Sequence, residues 1–135
     1  MDDEIFKISR DKDRAKDLLI IAKERLEIIE ILPRDKTYKI LEEYYEIILE
    51  LLTAVMYSDG FKTLSHKTAL DYCIKNYKTL DENESGIIDT LRKFRHGIVY
   101  YGKKISKEYL DNHEEIIIKI IDDLIGLAEN KIKED

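Results

Sequence analysis

The chain has 135 residues, a formal net charge of −6 and one cysteine, which suits a single domain that buries its own core without a disulfide. The acidic total argues against wrapping of nucleic acid over the whole surface, but it allows a local basic patch because steering follows the local field. Charged residues make up 39% of the chain and only one proline occurs, a bias typical of thermophile proteins.

The first sixteen residues carry acidic side chains where a signal peptide would carry basic ones. Every apolar run in the chain is far shorter than the roughly 20 residues that a membrane-spanning helix needs. We therefore expect a soluble, cytoplasmic protein that does not act at a membrane.

Apolar residues at three- and four-residue spacings predict a long first helix over residues 3–32, which Pro33 ends. A second helix is predicted from about Asp35 to Ser58. Its apolar arc is wide, which indicates a central helix packed on more than one side. Gly60 is expected to stop this helix in the left-handed conformation.

Three further helices are predicted in the second half of the chain. Residues 61–64 are predicted to form a connection, after which Ser65 caps a short third helix that ends near Tyr77. Asp81 and Glu84 form a capping-box pattern at the start of a fourth helix.

Gly102 is the expected stop of the fourth helix, and Ser106 is the expected cap of a fifth helix whose tail frays over residues 130–135. No stretch shows the sustained alternation of a strand. The sequence therefore predicts an all-α fold, an up-and-down antiparallel helical bundle of four long helices plus one short helix, in a single domain over residues 1–135.

Residues 91–102, LRKFRHGIVYYG, have two chemically different faces on the fourth helix. At about 100° per residue, one face is apolar and consists of Ile87, Leu91, Phe94, Ile98 and Tyr101. The opposite face collects the candidate functional residues Arg92, Arg95, His96, Tyr100 and Lys103. No carboxylate lies between Asp89 and Glu108, so this segment is a basic island in an acidic chain.

Several common site motifs are missing from the sequence. It contains no P-loop, no Rossmann glycine pattern and no zincin motif. His66, His96 and His113 lie far apart in the sequence and on different predicted helices, so we expect no metal site and no cofactor.

Four glutamates on the second helix, Glu42, Glu43, Glu46 and Glu50, are interpreted as a solvated acidic stripe, or alternatively as a surface for a basic partner.

The chain resembles the HEPN family (higher eukaryotes and prokaryotes nucleotide-binding domain) over about residues 14–127. The likeness rests on the long-helix bundle, on the link YSDGFKTLSHKTAL over residues 57–70, and on the late-helix stretch LRKFRHGIVYYG. HEPN ribonucleases have an arginine, a polar residue, three further residues and a histidine in a late helix. They cleave RNA without a metal, commonly as dimers that bring two copies of this motif together.

On this resemblance, Arg95 matches the arginine, His96 takes the polar position, and Tyr100 stands where the histidine is expected. Metal-free cleavage needs a base with a near-neutral pKa and a fixed cation. Arg95 suits the second role, whereas Tyr100, with a reference pKa of about 10, is a poor base. His96 has a suitable pKa range and shares a row with Arg92 and Tyr100.

The first hypothesis is therefore a dimeric HEPN-like protein that binds RNA or a nucleotide. Arg95, His96 and Tyr100 are its candidate catalytic residues, and Arg92 and Lys103 are its candidate phosphate contacts. The resemblance implies either a metal-independent endoribonuclease, as in the toxin component of a toxin-antitoxin pair, or the partner subunit of a minimal nucleotidyltransferase. The second hypothesis is a non-catalytic helical module for interaction or dimerisation.

Individual residues also have structural interpretations. Arg95 is expected to pair either with a carboxylate from another helix or with phosphate. His66 is interpreted as a capping or packing histidine, Cys73 as a buried apolar residue, and Gly97 as a point of close approach in a dimer.

Overall fold

The computed structural model describes residues 4–101 and 105–134, and it describes side chains for residues 4–97 and 105–134. Within these residues the elements are β1 (Ile5–Lys7), α1 (Lys12–Ile31), α2 (Thr37–Asp59), β2 (Phe61–Thr63), α3 (His66–Asn76), α4 (Glu82–Tyr101) and α5 (Lys107–Lys133). This bundle of four long helices and one short helix confirms the predicted fold class.

Helix α2 is the centre of the bundle and packs against each of the other four helices. Its buried side chains run along most of its circumference, as the wide apolar arc predicted, and they include Ile40, Tyr44, Ile47, Leu51 and Val55. Cys73 of α3 is also buried in this core, as predicted. A helix covered on several sides offers solvent few positions, so a site can form only where its neighbours leave a gap.

The predicted helix boundaries are confirmed where the signal is local. Asp81 and Glu84 form the reciprocal capping box, with hydrogen bonds of 3.1 and 2.7 Å between each backbone N–H and the other residue's carboxylate. Ser65 accepts a hydrogen bond from the N–H of Thr68 and begins α3. Ser106 caps α5 in the same way. The predicted stop of α4 at Gly102 lies outside the described residues.

The start of the chain differs from the prediction. Helix α1 begins at Lys12, where Asp11 caps it, and not at residue 3. Residues 5–7 instead form β1, which pairs antiparallel with β2, a segment predicted to be a plain connection. The turn at Gly60 allows this pairing, because Gly60 has φ 89° and its carbonyl oxygen accepts the N–H of Ile8 at 2.8 Å.

The acidic stripe on α2 is not a solvated surface. Glu43 is only 7% exposed, and Arg25 of α1 contacts both Glu43 at 2.9 Å and Glu50 at 3.0 Å. Lys39 adds a second cation to Glu43 at 3.2 Å. These carboxylates therefore fasten α1 to α2.

Asp59, the last residue of α2, is the centre of a polar cluster that we call the Asp59 hub. Tyr72 and Tyr77 both donate hydrogen bonds to its Oδ2, and Lys131 lies 2.9 Å from its Oδ1. Burial raises the pKa of Asp59, but the hydrogen bonds from Tyr77, Lys131 and Tyr72 outweigh it and hold the pKa below its usual range. This contact also orders the end of α5, which continues to Lys133 where a frayed tail was predicted.

In the described part of the chain, none of the helices combines the length and the apolar character that crossing a bilayer requires.

Candidate functional site

An open cleft of about 300 Å³ lies where α2, α4 and the start of α3 meet. It is lined by Tyr45, Leu64, Ser65, His66, Lys67, Arg92, Arg95 and His96. Three of these residues are cations and two are histidines, and none of the described residues that line the cleft is a carboxylate. We call this feature the basic cleft.

Helix α4 supplies three of the residues that line the basic cleft. Arg92, Arg95 and His96 lie at three- and four-residue spacing, so one face of the helix presents all three to the basic cleft. The structure therefore brings together three of the five residues that the sequence singled out. The side chain of Tyr100 and the whole of Lys103 lie outside the described residues.

Each arginine of the basic cleft is held by a carboxylate that does not line it. Nε of Arg92 donates to Asp89 at 2.9 Å, and Nε of Arg95 donates to Glu46 of α2 at 2.6 Å. The pairing of Arg95 with a carboxylate on another helix was one of its two predicted roles. Since both of these bonds use Nε, neither carboxylate occupies the terminal nitrogens that form the fork of a guanidinium.

Lys67 extends the same arrangement to α3. Its ammonium lies 3.2 Å from Asp71 on the following turn, and its side chain is 58% exposed. Ser65, His66 and Lys67 form the first turn of α3, so the positive end of the helix dipole is also at the basic cleft. The cations of the basic cleft are thus partly neutralised by carboxylates that do not line it.

His66 is the functional candidate that the sequence interpretation missed. Ser65 is the cap of α3, while His66 is its first residue, and Nδ1 of His66 lies 3.1 Å from Oη of Tyr45. Tyr45 comes from the buried face of α2 and is only 3% exposed. The sequence gives no sign of this contact because the two residues are 21 positions apart. His66 simply follows a capping serine, and Tyr45 simply belongs to an apolar arc.

The surroundings of His66 keep its imidazole neutral. Burial is the main cause that lowers the pKa of His66, and the positive charges of Arg95 and Arg92 lower it further, while Glu46 opposes them. Burial also raises the pKa of Tyr45 to about 12, so that its phenol keeps its proton near neutral pH. Both pKa shifts therefore favour the neutral form of these two hydrogen-bonded groups.

The third histidine has a different role. The ring of His113 stacks on that of Tyr109 at 4.0 Å, and its Nδ1 lies 2.9 Å from the carbonyl oxygen of Tyr109. His113 does not line the basic cleft. Among the described residues, no group of three or more histidine, cysteine, aspartate or glutamate side chains is placed to hold a metal ion.

The sequence matches no protein-family model and is not significantly similar to any curated protein. The resemblance to HEPN proteins therefore stays a prediction that rests on the quoted motifs.

Proposed function

We propose that this chain is a HEPN-like protein that binds the phosphates of RNA in the basic cleft. The observation that carries the proposal is the convergence of Arg92 and Arg95 from α4 with Lys67 from α3 on one open cavity. Arginine forks match the geometry of phosphate oxygens, and charge-assisted hydrogen bonds of this kind are about twice as strong as neutral ones.

The size and the walls of the basic cleft suit one nucleotide unit of a single strand. Its volume of about 300 Å³ is at the lower end of the range for pockets that enclose small ligands. Leu64 is 76% exposed at its edge and offers an apolar contact for a sugar or a base. A free nucleotide has the same phosphate chemistry and is the ligand to compare with RNA.

The proposal keeps the predicted roles of the remaining residues. Lys103 would extend the phosphate contacts, and Tyr100 would remain a candidate catalytic residue beside Arg95 and His96. A homodimer, and a nucleotidyltransferase as a protein partner, belong to the same proposal because they follow from the HEPN resemblance.

Binding of a labelled single-stranded RNA, followed by fluorescence anisotropy at two salt concentrations, tests this proposal. Affinity should fall steeply as salt rises, because phosphate contacts release counterions. Arg95→Gln should weaken binding by about tenfold. Arg34→Gln is the matched control, since Arg34 pairs with Glu114 at 2.7 Å and does not line the cleft.

Competition with a mononucleotide distinguishes the two ligands. Displacement of the RNA at micromolar nucleotide would indicate that a single phosphate unit is the natural ligand. Absence of RNA binding by the wild-type protein at low salt would overturn the proposal.

A non-catalytic interaction module is the second candidate, and one observation favours it. Three isoleucines on one side of helix α1 are exposed to solvent. The exposed fraction is 54% for Ile20, 48% for Ile28 and 81% for Ile31. If the protein forms dimers that Ile28→Asp disrupts, and binds no RNA, this second function replaces the first.

A further inference from the structure

The basic cleft has more hydrogen-bond donors than the two charged oxygens of an internal RNA phosphate can use. Arg92 and Arg95 line it from α4, while Ser65, His66 and Lys67 line it from the start of α3. We propose that the cleft binds the phosphomonoester at an end of an RNA chain, which α4 holds through its guanidiniums and α3 holds through its first turn. This inference deepens the proposed function and rests on it.

An end phosphate differs from an internal one in charge and in the number of free oxygens. An internal phosphodiester has two non-bridging oxygens that share one negative charge. A phosphomonoester has three terminal oxygens and a charge of about −1.5 to −2 near pH 7. The guanidinium forks of Arg92 and Arg95 suit two oxygens of either group. The third oxygen of a monoester needs donors from another direction, and α3 forms a different wall of the cleft.

The first turn of α3 has backbone donors that the fold leaves available. The N–H of Thr68 donates to Oγ of Ser65 at 3.2 Å, and the N–H of Ala69 donates to the carbonyl oxygen of Ser65 at 3.1 Å. Among the described residues, no acceptor is found for the N–H of His66 or of Lys67. Unsatisfied N–H groups at the start of a helix, together with the helix dipole, favour a bound anion.

His66 adds a donor that carries no charge. Tyr45 is only 3% exposed and burial raises its pKa to about 12, so its hydroxyl keeps its proton and needs an acceptor. Its hydrogen-bond partner among the described residues is Nδ1 of His66, at 3.1 Å. With the hydroxyl as donor, the proton of the neutral imidazole lies on Nε2, which can donate to a phosphate oxygen. Tyr45 is therefore a positioning residue.

The arginines act on the floor of the basic cleft more strongly than their carboxylate partners do. Burial is the main cause that raises the pKa of Tyr45. Arg92 and Arg95 each lower that pKa, and their partners Glu46 and Asp89 raise it by less. The field of these four groups at the floor is therefore positive, although each arginine has a carboxylate partner. A positive field attracts the more highly charged monoester more strongly than it attracts a diester.

The size of the basic cleft also favours an end of the chain. A cavity of about 300 Å³ holds about one nucleotide unit, so the rest of a bound strand lies outside it. An internal nucleotide needs an exit for the strand on both sides, whereas an end nucleotide needs one. The exposed Leu64 that lines the cleft is then an apolar contact for the next nucleotide.

The test uses the full-length protein and three internally labelled RNAs of one sequence, with a 5′-phosphate, a 3′-phosphate, or hydroxyl groups at both ends. Fluorescence anisotropy at one salt concentration gives the three affinities. A phosphorylated end should tighten binding by about tenfold, because it adds charge-assisted hydrogen bonds. The RNA that shows the gain identifies which end is bound. If adenosine 5′-monophosphate binds as tightly as that RNA, the ligand is a free nucleotide and the RNA end is ruled out.

Lys67→Gln separates the third oxygen from the other two. The variant should lose about fivefold of the preference for a phosphorylated end, while its affinity for the RNA with hydroxyl ends changes by less than about twofold. Lys75→Gln is the matched control, because Lys75 belongs to the same helix and does not line the basic cleft. It should keep the wild-type preference.

Two further measurements test the contacts of α3. In ¹H–¹⁵N spectra of the wild-type protein, adenosine 5′-monophosphate should shift the backbone amide signals of His66 and Lys67. Adenosine, which lacks the phosphate, should leave both signals in place. Tyr45→Phe keeps the ring but loses the hydroxyl, and it should lower the preference for a phosphorylated end by about threefold. A purely structural change would weaken the binding of all three RNAs alike.

The outcomes separate this inference from the proposed function. Equal affinities for the three RNAs, each weakened by Arg95→Gln, would overturn the end-phosphate site and leave RNA binding in place. Amide signals of His66 and Lys67 that do not move with the nucleotide would also overturn it. Absence of binding by all three RNAs at low salt would overturn the proposed function itself.

Discussion

The Asp59 hub and the basic cleft are built from similar parts but differ in how their polar groups are used. At the hub, one carboxylate receives donors from Tyr72, Tyr77 and Lys131, and its side chain is only 12% exposed. At the cleft, two guanidiniums each donate to a carboxylate through Nε, and the cavity is open. Polar groups that satisfy one another hold helices together, whereas polar groups with donors left over can bind a ligand.

Asp59→Asn should have the largest effect on stability and none on the cleft. The substitution leaves Lys131, whose side chain is only 14% exposed, with the more exposed Glu134 as a charged partner in place of Asp59, and breaking a largely buried pair costs about 3 kcal/mol. Urea unfolding measures this loss, and RNA affinity at a temperature where the variant is folded should match the wild type. A fall in affinity equal to that of an arginine variant would show that the two regions are not separate.

The double variant Arg92→Gln with Arg95→Gln should show the opposite pattern. RNA affinity should fall by about 100-fold and the slope of log affinity against log salt should decrease by about 2, because two phosphate contacts are lost. The free energy of unfolding should change by less than about 1 kcal/mol, since both ion pairs are partly exposed. Anisotropy and urea unfolding of the same samples give both numbers.

Gly60→Ala tests the turn between Asp59, the centre of the hub, and β2, which leads to the basic cleft. Gly60 has φ 89°, and a Cβ there would meet the carbonyl oxygen of Ile8 at 3.0 Å. We expect a loss of about 1–2 kcal/mol from the left-handed conformation. Thermal unfolding checks the loss, and Gly86→Ala, where a Cβ meets nothing within 4 Å, is the control.

The smallest expected effect is the pH dependence contributed by His66. Because the pKa of His66 in the folded protein lies below its unfolded value of about 6.5, its contribution to stability is fully present above that pH. The contribution is lost as the pH falls through the lower, folded pKa. His66→Gln should therefore lose less stability between pH 7 and pH 5 than the wild type. Equal losses would contradict a neutral His66.

Local features were predicted well because a few neighbouring residues determine them. The capping box at Asp81, the serine cap of α3 and the left-handed Gly60 each depend on residues within one turn. The central position of α2 followed from the width of its apolar arc. The side of α4 that carries Arg92, Arg95 and His96 followed from helix periodicity alone.

Features that join distant segments were not predicted. The pairing of β1 with β2, the contact of His66 with Tyr45, and the clamp of Arg25 on two glutamates all depend on how helices pack. The pair of Arg95 and Glu46 spans 49 positions, and the sequence predicted a carboxylate from another helix without identifying which one. Periodicity identifies the side of a helix on which a residue lies, but it does not identify the residue of another helix that contacts it.

The two-stranded sheet has a consequence for the start of α3. β2 is followed after two residues by His66, and β1 fixes β2 through pairs such as Ile5 with Thr63. Strand β1 therefore helps to hold His66 in place, although the two are far apart in the sequence. Removal of residues 4–10 should therefore weaken ligand binding in the basic cleft, although none of these residues is among the described residues that line it.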